Sequence, residues 1–537
     1  MTPDVRPPRR PRAAALLWTR PSTRGRWAPA VRTGVAFALP ALVLLAAGHG
    51  SDSVLAALGS FAVLYGEKRP YLIRWRVITT TGVLLVATAA AFGWIGAWVG
   101  AEPALVRELT MVGALGVLTA AGVFVVIALR LGPPGPFFLV LVGGVAVLTG
   151  RHGMSPWTLV VFTAAGSLSA LVVSMAPMLL RPRGPEEAAT EAALAISERF
   201  LAAGAGPAHH DGVASSTLNA WSVLHDAAQA DSDLAARLWR THHRVHGNER
   251  AGILVAPLPR PDVLRRLRFA GHRWSHATIS TARGTASAVA AGAISVAAGL
   301  GRPDWAVMGA VLVLQLGPDR IRGTVRGAHR MIGTLAGLCL FAVLHALDLH
   351  TGWLIAVLAV LNVLIELTVT TNYALAVTFI TPLALLMGSS PVPLGQQMTD
   401  RVVETLIGVA LAVTSLWLML PRAHRTTVRA ADAAARAVCR SVVEHASVDA
   451  VDSPSVRTDR RDLVWLLLEA DTAAADSAND EPRWATDYWP THLLNRSVGY
   501  DTLTACWRAG EGRPLPAAVS AGLTTRIDAL DPPADAR

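Results

Sequence analysis

Four arginines, Arg320, Arg322, Arg326 and Arg330, follow a short apolar run from Trp305 to Leu316 that is stopped by Gly317-Pro318. Their planar guanidinium forks suit bidentate binding of carboxylates, so the chemistry they offer is recognition of an anion rather than covalent catalysis. An echo lies earlier in the chain. Val54 to Leu64 is again short and apolar, Tyr65-Gly66 stops it, and Lys68, Arg69, Arg74 and Arg76 come next. The competing reading is that these arginines only mark the ends of apolar runs. Glu366 stands apart, inside VLNVLIELTVTTNY with Asn362 one helical turn before it. An ionisable group in an apolar segment is costly and faces a cavity or a partner. Glu366 is therefore a candidate proton-coupling group, with a salt bridge to an arginine of the 320–330 run as the bland alternative. Gln315 and Tyr373 are neutral polar groups that could line a path, as could Thr378 and Thr381; singly, such groups more often hold helices together.

These residues must be positioned by apolar helices. The chain has 537 residues, of which 52% are hydrophobic and 16% charged, and its mean hydropathy is +0.41. Apolar runs broken by short basic loops indicate a polytopic membrane protein. The net charge of +10 does not point to nucleic acid, because the arginines cluster at the ends of apolar runs, where topology needs them. Lys68 is the only lysine, which with the many Ala, Gly and Pro codons implies a GC-rich bacterial genome. The three cysteines are far apart, so neither a disulfide framework nor a zinc site is expected. His242 and His246 share a helix face, yet no glutamate follows in a zinc-protease pattern. Arg151-His152-Gly153 matches a short phosphatase signature but has no α/β domain around it. No catalytic constellation is present, no cofactor is expected, and no P-loop occurs.

The expected organisation is a basic N-terminal tail (1–32), a first membrane block (33–180), a helical insert (181–282), a second membrane block (283–420) and a C-terminal helical region (421–537). Each block holds six apolar segments, of which the second and fifth are short. Loops after even-numbered segments are strongly basic, whereas those on the other side carry mostly acidic residues. That asymmetry places the insert, the tail and both termini in the cytoplasm. Two halves with an even number of segments and the same orientation are parallel repeats. The expected fold class is thus an all-α polytopic membrane protein with two parallel repeats of about six segments. Arg32-Thr33-Gly34 matches Arg283-Gly284-Thr285, Gly135-Pro136-Phe137 matches Asn372-Tyr373, and Thr163 and Gly166 match Thr405 and Gly408. The stretch PDVLRRLRFAGHRW, ahead of the second block, reads as an amphipathic basic helix suited to the headgroup layer.

Three stretches in order, RGTVRGAHRMIGTLAG from Arg322, NYALAVTFITPLALL from Asn372 and DRVVETLIGVALAV from Asp400, resemble the fusaric acid resistance and aromatic acid exporter family. The layout of two membrane blocks around a helical region is similar too. The resemblance implies export of organic or aromatic acid anions across a bacterial cytoplasmic membrane. Proton coupling is expected by elimination of ATP. The alternatives are an anion channel of similar build, and a membrane scaffold whose polar regions bind partners. Expected partners are the lipid bilayer, a small organic anion and further copies of the chain. Some family members work with a periplasmic adaptor, which no residue here specifies.

Overall fold

The computed structural model is all-helical over the described residues, which are 6–8, 10, 16–17, 23, 25–132, 134–202, 210–245, 258–315, 317–387 and 392–530. The basic tail expected over 1–32 lies largely outside them. The first half comprises α1 (Trp27–Ala46), α2 (Gly50–Leu64), α3 (Tyr71–Val99), α4 (Leu105–Ala128), α5 (Phe137–Arg151) and α6 (Pro156–Met175). The second half repeats the order as α11 (His276–Ala297), α12 (Pro303–Leu314), α13 (Arg320–Ala346), α14 (Thr351–Thr368), α15 (Tyr373–Leu386) and α16 (Leu394–Leu418). Between them lie α7 (Gly184–Ala202), α8 (His210–Asp226), α9 (Asp233–Val245) and α10 (Val263–Ala270). The chain closes with α17 (Ala423–Val448), α18 (Pro454–Asp480), α19 (Pro482–Ala509) and α20 (Ala517–Asp528).

Seven helices are long and apolar enough to cross a membrane: α1, α3, α4, α6, α13, α14 and α16. The second and fifth helices of each half are shorter, as expected, and they occupy the middle of the bundle. Every residue of α12 is buried. Its 12 residues reach only about 18 Å, short of the roughly 30 Å of a bilayer's hydrocarbon core.

The packing repeats with the sequence. α3 packs along α5 and α6, as α13 packs along α15 and α16. α2 crosses α6 as α12 crosses α16. Between the halves, α4 packs on α11 and α14 packs on α1, an exchange that a two-fold relation requires. The short helices cross their partners at glycines. A Cβ on Gly166 would stand 1.9 Å from the Ala56 carbonyl oxygen, and one on Gly408 2.3 Å from that of Ala306. Trp94, Trp98, Trp157 and Trp353 are exposed at one rim and Trp27, Trp75 and Trp417 at the other, the belt expected where helices leave the hydrocarbon.

The loops sort to two faces. On one, Arg69 meets Asp226 at 3.5 Å, Arg130 meets Glu469 at 2.5 Å, and the Arg320 amide donates to both carboxylate oxygens of Asp480 at 3.0 Å. The insert and the C-terminal helices therefore sit together against the basic loops. On the other face Arg151 pairs with Glu108 at 3.4 Å. Several helices begin earlier than their apolar windows. The apolar windows open at 77, 328 and 402, whereas α3 starts at Tyr71, α13 at Arg320 and α16 at Leu394. In those first turns Arg74 and Arg320 reach backbone carbonyls, and Asp319 caps α13 by accepting from the Arg322 amide at 2.8 Å. The basic α10 also differs from expectation. Arg265 pairs with Asp462 at 2.5 Å and Arg266 donates to the Leu129 carbonyl at 3.0 Å, so both arginines face protein, while Val263 and Leu264 are exposed.

α17 to α20 pack on one another around Val442, Val456, Leu463, Val498 and Leu503, the small bundle expected from the aromatic and Ala-rich tail. Within it His492 is buried between Asp432 at 3.0 Å and Asp471 at 3.2 Å. Burial works against its charged form, but the two carboxylates outweigh it and push the imidazole up to about 9.

Two outcomes are expected. Gly166→Val and Gly408→Val should each cost about 1–3 kcal/mol or more, because the new methyls meet backbone, whereas Gly113→Ala should be neutral; thermal unfolding in detergent reads this. The His492 pair should stabilise the C-terminal bundle fully below pH 6.5 and lose that contribution as pH rises through about 9. Melting followed by Trp489 fluorescence should show that slope, and His492→Gln should flatten it.

Candidate functional site

The site is built where α12 stops. A helix that ends inside an apolar bundle leaves carbonyls without intrahelical partners. Arginines fill that need here. The Arg326 Nε donates to the Val313 carbonyl at 2.9 Å. Arg283 donates to Pro318, just past α12, at 3.3 Å, and where α16 ends Arg283 donates to Met419 at 2.9 Å and Arg320 to Leu416 at 3.1 Å and to Pro421. In the first half Arg74 plays the same part, donating to the carbonyls of Arg69 at 3.2 Å and of Glu67.

Two guanidinium groups are not used in this way. Arg330 on α13 and Arg401 on α16 are each 1% exposed. The Nε and Nη1 of Arg330 and all three nitrogens of Arg401 have no hydrogen-bond partner in the protein. The two charges lie within electrostatic reach of each other, and Tyr373, at the first turn of α15, faces Arg330, Arg326 and Arg401. Arg401 is stacked 3.5 Å from the Trp305 ring. Behind it Glu404, fully buried, accepts the Arg302 amide at 2.8 Å through Oε1, and its Oε2 is unpartnered. Arg302 forms a bidentate pair with Asp304 at 3.0 and 2.8 Å. Arg302 and Arg401 line a cavity of about 130 Å³ together with Arg151, Trp305, Gln396 and Gln397, on the face opposite the insert.

The residues singled out from sequence thus divide. Arg326, Arg330 and Tyr373 are brought together. Gln315 lies at the seam between the halves, its side chain against Gly135, whose carbonyl accepts the Tyr65 hydroxyl at 2.7 Å. Arg320 and Arg74 are occupied by carbonyls. Arg69 is paired with Asp226, Arg76 stacks 5.4 Å from Trp75, and Arg322 is 59% exposed beside Asp319. Glu366 forms an ion pair with Arg26, which also meets Glu67 at 3.3 Å. Its partner is thus an arginine just ahead of α1 rather than one of the 320–330 run. His246 lies outside the described residues.

Arg401 and Glu404 went unread because both sit in what the apolar window treats as a loop and its edge. A signal was present. Pro393 marks a helix start, and from there the two residues fall one turn apart on the same face of an otherwise apolar helix.

Residues 289–415, which hold Arg330, Tyr373, Arg401 and Glu404, match the family described as fusaric acid resistance protein-like. The bundle is thus a multi-pass membrane protein, and the family match falls in its second half. Neither the curated proteins nor the solved structures yield a significant match to the chain.

The Arg26–Glu366 pair ties α1 to α14. Arg26→Gln should destabilise the protein by about 3–5 kcal/mol, since it leaves a buried carboxylate alone, and Arg26→Gln with Glu366→Gln should recover most of that loss in thermal unfolding.

Proposed function

We propose that the chain exports small organic or aromatic acid anions across a bacterial cytoplasmic membrane, and that Arg330 and Arg401 bind the carboxylate in passage. The observation that carries this reading is the pair of fully buried guanidinium groups with five nitrogens free of protein partners. Uncompensated charge at such depth is expensive, and an anionic guest removes the cost. Two fixed cations in line give a carboxylate two successive stations, and Tyr373 can donate to it between them.

Glu404 takes the coupling role in this reading. Glu404 lies within electrostatic reach of Arg401, so an ionised Glu404 and a bound anion are alternative ways to balance the same guanidinium. Protonation when the anion binds and release when it leaves would couple the two fluxes. The orientation in the bilayer rests on the basic loops, which gather on the face that carries the insert and the C-terminal helices; that face is then cytoplasmic, and the outward direction rests on the family resemblance. The cavity beside Arg401 is then the external mouth.

Flux of labelled aromatic acids in proteoliposomes tests this. Arg330→Gln and Arg401→Gln should each lower flux at sub-saturating substrate by roughly tenfold or more, since a charged hydrogen bond is worth about 1.5–3 kcal/mol. Arg322→Gln should leave it unchanged. Glu404→Gln should keep exchange down a gradient and lose accumulation driven by an imposed pH gradient. Flux that is purely downhill in the wild type, and indifferent to Glu404, would make the protein a channel. Wild-type flux in Arg330→Gln and Arg401→Gln would overturn the site.

A further inference from the structure

A second cavity lies away from the membrane bundle, between α8 and α9 of the insert and α18 and α19 of the C-terminal region. It measures about 110 Å³. Trp221, Tyr500 and Trp507 wall it, and Leu218 and Leu503 complete an apolar lining. Trp239 seals its flank, with ring centroids 5.9 Å from Trp221 and 5.1 Å from Trp507. The volume is of the order that takes one six-membered ring, since an apolar cavity of about 150 Å³ takes up benzene.

Its polar end is a guanidinium. Arg460 is 8% exposed, lies 3.8 Å over the Trp507 ring, and donates through Nη1 to the Val451 carbonyl at 2.9 Å. Its Nε and Nη2 are buried without a partner. Arg457 and Arg461 also line the cavity; Arg461 is paired with Asp462 at 2.9 Å, and the acidic lining residue Asp452 accepts the Gly512 amide through Oδ1 at 2.9 Å. The free edge of the Arg460 guanidinium and the aromatic walls define a ligand by chemistry. A planar ring fills the apolar volume by stacking, and an anionic group on that ring meets Arg460.

We infer that this cavity is a binding site for a small aromatic carboxylate, separate from the Arg330–Arg401 site. A ligand there bridges the insert to the C-terminal helices. The inference does not require transport, because its test reads binding.

The full chain in detergent is titrated with 4-fluorobenzoate and followed by fluorine NMR, in a background of Arg330→Gln with Arg401→Gln, which removes the membrane guanidinium groups. Saturable binding is expected in that background, with 4-fluorobenzylamine failing to compete. Arg460→Met should weaken binding at least tenfold. Thr217→Trp, which fills the cavity from its half-buried rim and keeps every arginine, should abolish it. No saturable binding in the background, or binding that survives both Arg460→Met and Thr217→Trp, would overturn the assignment. Loss of flux in the membrane variants with binding retained here separates the two sites.

Discussion

Backbone that stops being helical inside an apolar bundle must find partners for its carbonyls, and arginine supplies them here. α2, α5, α12 and α15 are too short to cross as continuous helix, so each half contains peptide groups at depth with no ladder to join. Arg326 caps the end of α12 at Val313 and Arg283 reaches Pro318 just past it, Arg74 takes the carbonyls of Glu67 and Arg69 after α2, and Arg320 and Arg283 hold the carbonyls where α16 ends. The cost of breaking the helix is thereby offset, and the break itself becomes the place where polar groups can face the bundle centre. The same constraint explains why the arginines sit on the first turns of α3 and α13 rather than in loops. They have carbonyls to reach, and a helical first turn aims them.

Against that background Arg330 and Arg401 stand out by contrast. They have the same chemistry as the capping arginines and deeper burial, yet no carbonyl lies in their reach. Arg401 keeps Trp305 against its face, which retains the cation without consuming its hydrogen bonds. Charge that is held but not neutralised is what the proposed anion path requires, and Glu404, Arg401, Arg330 and Tyr373 would supply it in the second half of the bundle. α18 adds a mechanical link to this half. Arg460 near its start lines the second cavity, and Asp480 at its end caps the Arg320 amide, about 30 Å further along one helix.

Composition and charge spacing were enough to read the helical class, the six-plus-six count, the short second and fifth segments, and the parallel repeat. These depend on hydropathy over many residues and on loop charge, both of which survive without coordinates. The pairs Gly166 with Ala56 and Gly408 with Ala306 are the physical form of a correspondence already legible between Thr163-Gly166 and Thr405-Gly408. The site was legible in part. Arg326, Arg330 and Tyr373 could be named, because arginines next to a Gly-Pro break are conspicuous. The separation of Arg330 from Arg320 and Arg74 could not be made, because a side chain's type does not tell whether a carbonyl waits beside it.

The sequence by itself determined where apolar segments lie, how many there are and which loops are basic, since these follow from local transfer energies. Only the tertiary structure decided which charges are spent. Glu366 met Arg26, far from it along the chain, and became part of a helix clasp. Arg401 and Glu404 moved from an apparent loop into the core because α16 begins at Leu394 and turns them inward. Partnership across the bundle is a matter of distance in space, and nothing in the order of residues encodes which cation will be left without an acceptor.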